Sequence, residues 1–287
     1  MLARPTVGLI LLRAQWFDDV VALPALVEGL KTDTEALTGA LPDELDVRHT
    51  WVVNSSASLA ACVAELRTTQ LDLVLLTFQV WAEDFFLQPL VRALNGQPLA
   101  VWCFQPTAQP PRPASFVDVL RYSGPVGTLE GLGTLKNLGV PYLFLAGAPD
   151  SPSMKQELIA AARAGRVHQA LKTTRFGLLP AHNDQMQSTY VDEIRLATEL
   201  GPVVQYLSVR DLDLSAQAIS AAEIDAYLEQ VRRDFAVKGV SDDTLRRAAR
   251  YTLGLGRLAD EHRLDVLSFN DTANELHAVC GLRPCLF

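Results

Sequence analysis

Three apolar runs of the chain break off into the same chemistry. Gln15 and Trp16 follow the run 7–12, Gln79 and Trp81 follow the run 71–76, and Gln105 closes the run 99–104. An aromatic ring beside neutral amides suits a polyol, whose C–H faces stack while its hydroxyls exchange hydrogen bonds. Packing of Trp16 and Trp81 against loops is the competing explanation. Convergence of amides and indoles at three such ends favours a shared site for a small-molecule sugar.

The elements needed to place these residues are legible around 71–105. An apolar run, a helical pattern over 84–94, the breakers Gly96 and Pro98 and a second apolar run make a strand–helix–strand crossover. Crossovers of this kind imply parallel strands, and ligands of open parallel sheets sit beyond the strands' carboxyl ends. The run 7–12 reads as the first strand, 46–53 as the second and 141–146 as the fifth, with residues 77–81 as a turn. Asn54-Ser55-Ser56 offers an N-cap for a helix over 59–67, and the proline-rich stretch 106–113 reads as a loop. Residues 123–139 place Gly124, Gly127, Gly131 and Gly133 ahead of and within a short helix. Amides at such a helix start can hold an anion or a hydroxyl. The pattern matches neither a phosphate-binding loop nor a dinucleotide fingerprint.

The pattern restarts at 172–175, which divides the chain into a first domain over 1–172 carrying the substrate rim and a second over 173–287. Strands are expected at 176–179, 203–207 and 265–269, with helices at 190–200, 221–236, 242–261 and 273–279. Residues 208–213 read as a polar strand exit. The expected fold class is α/β, with two consecutive domains of mostly parallel sheets flanked by helices. His182, with Asn183 to Gln185, follows a strand and either meets a ligand or caps the next helix. Asn270-Asp271 leaves the same two readings open.

A net charge of −8 over 287 residues argues against nucleic acid as a general partner. No apolar run approaches membrane-span length and the amino terminus runs straight into a strand, so the expectation is a cytoplasmic protein off the membrane. Cys62, Cys103, Cys280 and Cys285 show no metal or disulfide spacing; His277 and Cys280 are close enough in sequence for zinc, but no second pair exists. The paired acids Asp192–Glu193 and Asp242–Asp243 read as solvated helix faces.

Taken together, VGLILLRAQWFDD, DLVLLTFQVWAEDFFLQPL, PLAVWCFQP, SGPVGTLEGLGTLKNLGVPYLFLAG and LDVLSFNDTANELHAVCGLRPCLF resemble the amino-terminal part of the L-fucose/L-arabinose isomerase family. The resemblance implies oligomers that interconvert an aldose and a ketose through an ene-diolate, with a divalent metal, typically manganese. It implies that Gln15, Trp81 and Gln105 line the substrate end of a site completed by a neighbouring subunit. The family's acidic and His ligands fall beyond the stretch matched here, so the chain by itself is expected to be inactive. The apolar ending Arg283-Pro284-Cys285-Leu286-Phe287 reads as the opening of a strand and as a sequence cut short. A non-enzymatic sugar-binding module, with ligand in a cleft between two α/β domains, is the rival expectation.

Overall fold

The computed structural model of the chain describes residues 3–19 and 23–282. Two units, Met1–Gln169 and Ala170–Phe287, each hold a parallel sheet flanked by helices. In the first, β1 (Thr6–Leu12), β2 (Asp46–Val53), β3 (Leu73–Phe78), β4 (Leu99–Phe104) and β5 (Leu143–Gly147) are ordered β2-β1-β3-β4-β5. That order reverses direction between β1 and β3, which is the topological switch point of a doubly wound sheet.

Strands covered on both faces read as near-continuous apolar runs, and β1 and β3 are such runs. Ile10, Leu12, Val74 and Leu76 turn toward α3 (Ser56–Leu66), α4 (Leu87–Ala93) and α6 (Gly124–Asn137). Leu9, Leu11, Leu73 and Leu75 turn toward α2 (Pro24–Gly39) and α7 (Pro152–Leu171). A capping box starts α3: Ser55 Oγ accepts from Ser58 N while Ser58 Oγ accepts from Ser55 N. Two short helices, α1 (Trp16–Asp19) and α5 (Phe116–Arg121), complete the unit and were not expected from the sequence.

Two readings of this unit need correction. Thr77 and Phe78 belong to β3 rather than to a turn, and the buried Thr77 hydroxyl donates to Trp102 O at 2.8 Å. The glycines expected ahead of and within a short helix all lie inside one 14-residue helix, α6, whose small residues let it close onto the sheet. A Cβ at Gly124 would lie 2.6 Å from Phe78 O and 3.0 Å from Phe104 O, and one at Gly131 would collide with the Phe78 ring. Close approach of the helix to strand carbonyls at Gly124, and to the Phe78 ring at Gly127 and Gly131, accounts for these glycines.

In the second unit, β6 (Arg175–Leu179), β7 (Val203–Tyr206) and β8 (Val266–Phe269) pair in the order β7-β6-β8, all parallel. One face packs on α9 (Val209–Gln217), α11 (Asp242–Glu261) and α12 (Asn274–Cys280), with α10 (Ala221–Asp234) behind α11. The opposite face, which carries Phe176, Leu178 and Val204, is only thinly roofed by α8 (Glu193–Glu199) and the segment before it. The polar exit expected at 208–213 is instead the start of α9. Ser208 caps it with a reciprocal Asp211 bond, and Val209, Leu212 and Ala216 bury one stripe among charged neighbours. Residues 283–287, including Cys285, lie outside the described residues. Among those described, no helix is long and apolar enough to cross a membrane.

Candidate functional site

Pairing between the central strands continues past their ends. Gln79 N donates to Leu12 O at 2.9 Å and Ala14 N to Trp81 O at 3.1 Å, so Gln15 and Trp16 leave β1 beside Trp81. Trp16 opens α1, is 43% exposed and stacks on Phe17 with ring centroids 3.7 Å apart. Gln15 Nε2 donates to Asp19 Oδ2 at 3.2 Å. Trp81 is half-buried, with its indole N–H on Glu130 Oε2 at 2.8 Å. Gln105, half-buried at the end of β4, has no hydrogen-bond partner among the described residues. These four side chains sit at the carboxyl ends of three adjacent strands.

Gln79 is placed differently. It is 1% exposed, and its Nε2 donates to Leu30 O at 2.7 Å and Thr34 Oγ1 at 2.9 Å. Its Oε1 accepts from Arg13 Nη1 at 3.1 Å. The structure does not bring this amide to the rim; it pins α2 to the exit of β3 and aims Arg13.

Sequence reasoning missed the group that fills the crevice of the switch point. Arg13 holds Asp18 through Nε at 2.9 Å and Nη2 at 2.7 Å, and Asn54 Nδ2 reaches Asp18 Oδ2 at 2.7 Å. This network ties the exits of β1, β2 and β3 together. A second pair lies nearby in the fold of the unit: Arg121 of α5 donates to both carboxylate oxygens of Asp33, which is 5% exposed. The Asp33 hydrogen bond raises the proton affinity of Arg121. The spacing of Arg13 and Asp18 was visible in the sequence, but nothing there marked them as partners.

The second unit gathers its own polar groups where β6 and β8 end. A cavity of about 410 Å³ opens there, lined by His182, Asn183, Asn270 and Asp271 and floored by Phe176, Leu178 and Val204. His182 Nε2 lies 3.1 Å from Glu193 Oε1, the Tyr206 hydroxyl donates to the same oxygen at 2.5 Å, and Tyr190 stacks on the imidazole at 5.2 Å. Asn270 links the two exits, donating to His182 O and accepting from Thr272. It is not the cap of α12, whose N-cap is Ala273 without a side-chain bond. His277 contacts Asp271 O at 2.6 Å and Cys280 is 0% exposed in the core, so each has a structural place. A larger cavity, about 550 Å³, lies at the amino ends of β3 to β5. Its walls are mainly apolar, and it faces away from the strand ends where polar ligands bind.

Hydrogen bonds from Tyr206 first, then His182, hold the Glu193 carboxyl below its ordinary 4.5. Because the folded value is depressed, the cluster's stabilisation is complete above that ordinary value and is lost as pH falls through the folded one. Glu193→Gln is therefore expected to flatten the acid limb of the second unit's stability. Urea midpoints followed from neutral to acid pH by tyrosine fluorescence measure it; an unchanged slope would mean that the carboxylate contributes nothing there.

Both units are parallel α/β sheets that collect polar and aromatic side chains at their strand exits, the edge at which open sheets of this kind generally receive ligands. No family model matches the chain. Two curated relatives are similar to it, the sulfoquinovose isomerases of Priestia aryabhattai and of Priestia megaterium (strain ATCC 12872 / QMB1551). Each is 20% identical over 237 residues, covering 82% of this chain and 50% of the relative. The chain thus spans about half the length of the curated relatives it matches, and the likeness is to a sugar isomerase.

Proposed function

We propose that the chain is the sugar-handling part of an aldose–ketose isomerase of the L-fucose or L-arabinose type. The observation that carries this reading is the meeting of Gln15, Trp16, Trp81 and Gln105 at the exits of β1, β3 and β4. Similarity to sulfoquinovose isomerase supports the class of reaction. The indoles stack on the sugar's C–H face, and the amides of Gln15 and Gln105 orient its hydroxyls. A sulfonated sugar would need a cation free to meet it. Arg13 and Arg121 are each claimed by a carboxylate, which favours a neutral aldose at this rim. The assembly in this reading is a cytoplasmic homo-oligomer in which a neighbouring subunit completes each rim. Phe116, Val119, Val126 and Leu129 on α5 and α6 offer exposed apolar surface for that contact.

A divalent ion, manganese by the family resemblance, does not fit the described residues. No group of three His, Cys, Asp or Glu side chains among them could hold one. Its ligands would come from outside them, and the role derived for these residues is to bind and orient.

Calorimetric titration of residues 1–287 with L-fucose and L-arabinose tests the rim. Trp81→Ala is expected to weaken binding about tenfold, the loss of one stacking contact, while the fold persists. Trp81→Phe keeps a stacking face and most of the affinity. Parallel loss of binding and stability in both variants would assign Trp81 to packing alone. Full metal-dependent turnover by this chain would overturn the assignment of the ion's ligands to other residues.

A further inference from the structure

The junction of α9, α11 and α12 holds a cavity that the sugar reading does not use. Its volume is about 490 Å³, within the range of small-molecule sites, and its walls include Arg246, Arg247, Arg250, Gln217 and Tyr251. Helix α11 places the three arginines in five consecutive positions, so that Arg246 and Arg250 share a face and Arg247 lies beside them. Such a concentration of guanidinium is unexpected in a chain of net charge −8.

The pairing of these groups is incomplete in a specific way. Arg246 is bound at 2.6 Å to Asp225, which is not part of the cavity lining. Arg247 has only a 3.8 Å approach to Asp243, a carboxylate whose side chain is 86% exposed. Arg250 has no hydrogen-bond or ion-pair partner among the described residues. Asp213, the other acid of the lining, is already taken up, accepting from the Tyr251 hydroxyl at 2.8 Å and from Gln217 Nε2 at 2.7 Å. Three cations against two carboxylates leave the lining at +1, with the surplus on the two arginines that lack close partners.

Arg247 also lies against the turn that ends α12. Gly281 follows α12 in the left-handed conformation, φ 66°, and a Cβ there would collide with Arg247 Nη1. One residue thus ends the helix and leaves room for the guanidinium.

We propose that this cavity binds a phosphate-bearing small molecule, its phosphate held between Arg247 and Arg250. Guanidinium forks match phosphate oxygens two at a time, and the remaining volume accommodates an attached polyol. The site stands in the second unit and is independent of the rim formed by Trp16 and Trp81.

The test is calorimetric titration of the chain with inorganic phosphate and with a hexose phosphate, at constant ionic strength set by chloride. Saturable binding of either ligand is expected. Arg250→Gln should weaken it about tenfold, the loss of one charge-assisted contact, and Arg247→Gln with Arg250→Gln should abolish it. Arg250→Lys keeps a point charge and part of the affinity. Arg195→Gln, at an exposed arginine of the same unit, should change nothing. Tighter binding of the hexose phosphate than of phosphate would show that the cavity reads the sugar as well; equal binding would show recognition of phosphate alone. Absence of saturable binding, or equal loss in Arg195→Gln, would overturn the proposal. Circular dichroism of each variant separates lost binding from lost folding.

Discussion

Asp33→Ala is expected to lower the stability of the first unit by about 3 kcal/mol, because it leaves a half-buried guanidinium without its carboxylate. Asp33 sits on α2 at 5% exposure, and Arg121 reaches it from α5, 88 residues later in the chain. Both nitrogens of the fork are used, with contacts of 3.0 and 2.5 Å, so no solvent-facing substitute is in place when the acid is removed. Arg121 keeps 25% of its side chain exposed, which places the expected loss at the lower end of the range for broken buried pairs. Urea unfolding of the variant, followed by tryptophan fluorescence, measures it. Combining Asp33→Leu with Arg121→Met should recover much of the loss, since an apolar pair incurs no desolvation cost. A loss below about 0.5 kcal/mol would reduce this pair to an ordinary surface contact.

The second large effect comes from α6 and has an internal control. Gly131→Leu should cost about 3 kcal/mol, the upper range for overpacking, because its side chain would enter the space of Phe78 and Leu87. Phe78 is fully buried at the end of β3 and has no free direction in which to yield. Gly133, two residues on in the same helix, meets nothing within 4 Å, so Gly133→Ala should stabilise by roughly 0.5–1 kcal/mol through helix propensity alone. Thermal melts of the two variants should move in opposite directions. A common direction would refute the close-packing account of the glycines.

Much of the architecture was readable in advance because burial on both faces writes itself as an unbroken apolar run. The bounds expected for β2, β4 and α11 coincide with those observed. In a parallel sheet all the strand exits fall on one edge, so chain order alone placed Gln15, Trp16, Trp81 and Gln105 together. What escaped reading depended on partners distant in sequence. Composition reveals that 123–139 is rich in glycine, but not that Phe78 and the carbonyls of two strands lie against it. Gln79 has the same chemistry as the other amides and follows a strand as they do. Only the arrival of α2 over it turns its amide inward. The stripe of α9 was hidden for another reason: Arg210, Asp211 and Asp213 stand among its buried positions and give the stretch a polar average.

The second sheet has only three strands, and both outer ones, β7 and β8, present an unpaired backbone edge among the described residues. Beside them Met186, Tyr190, Val191 and Ile194 are exposed on the roof over the sheet. Edges of this kind are templates for further strands, although at four residues each they are short. Copies of the chain are therefore expected to associate through the second unit as concentration rises, and light scattering across a dilution series checks it.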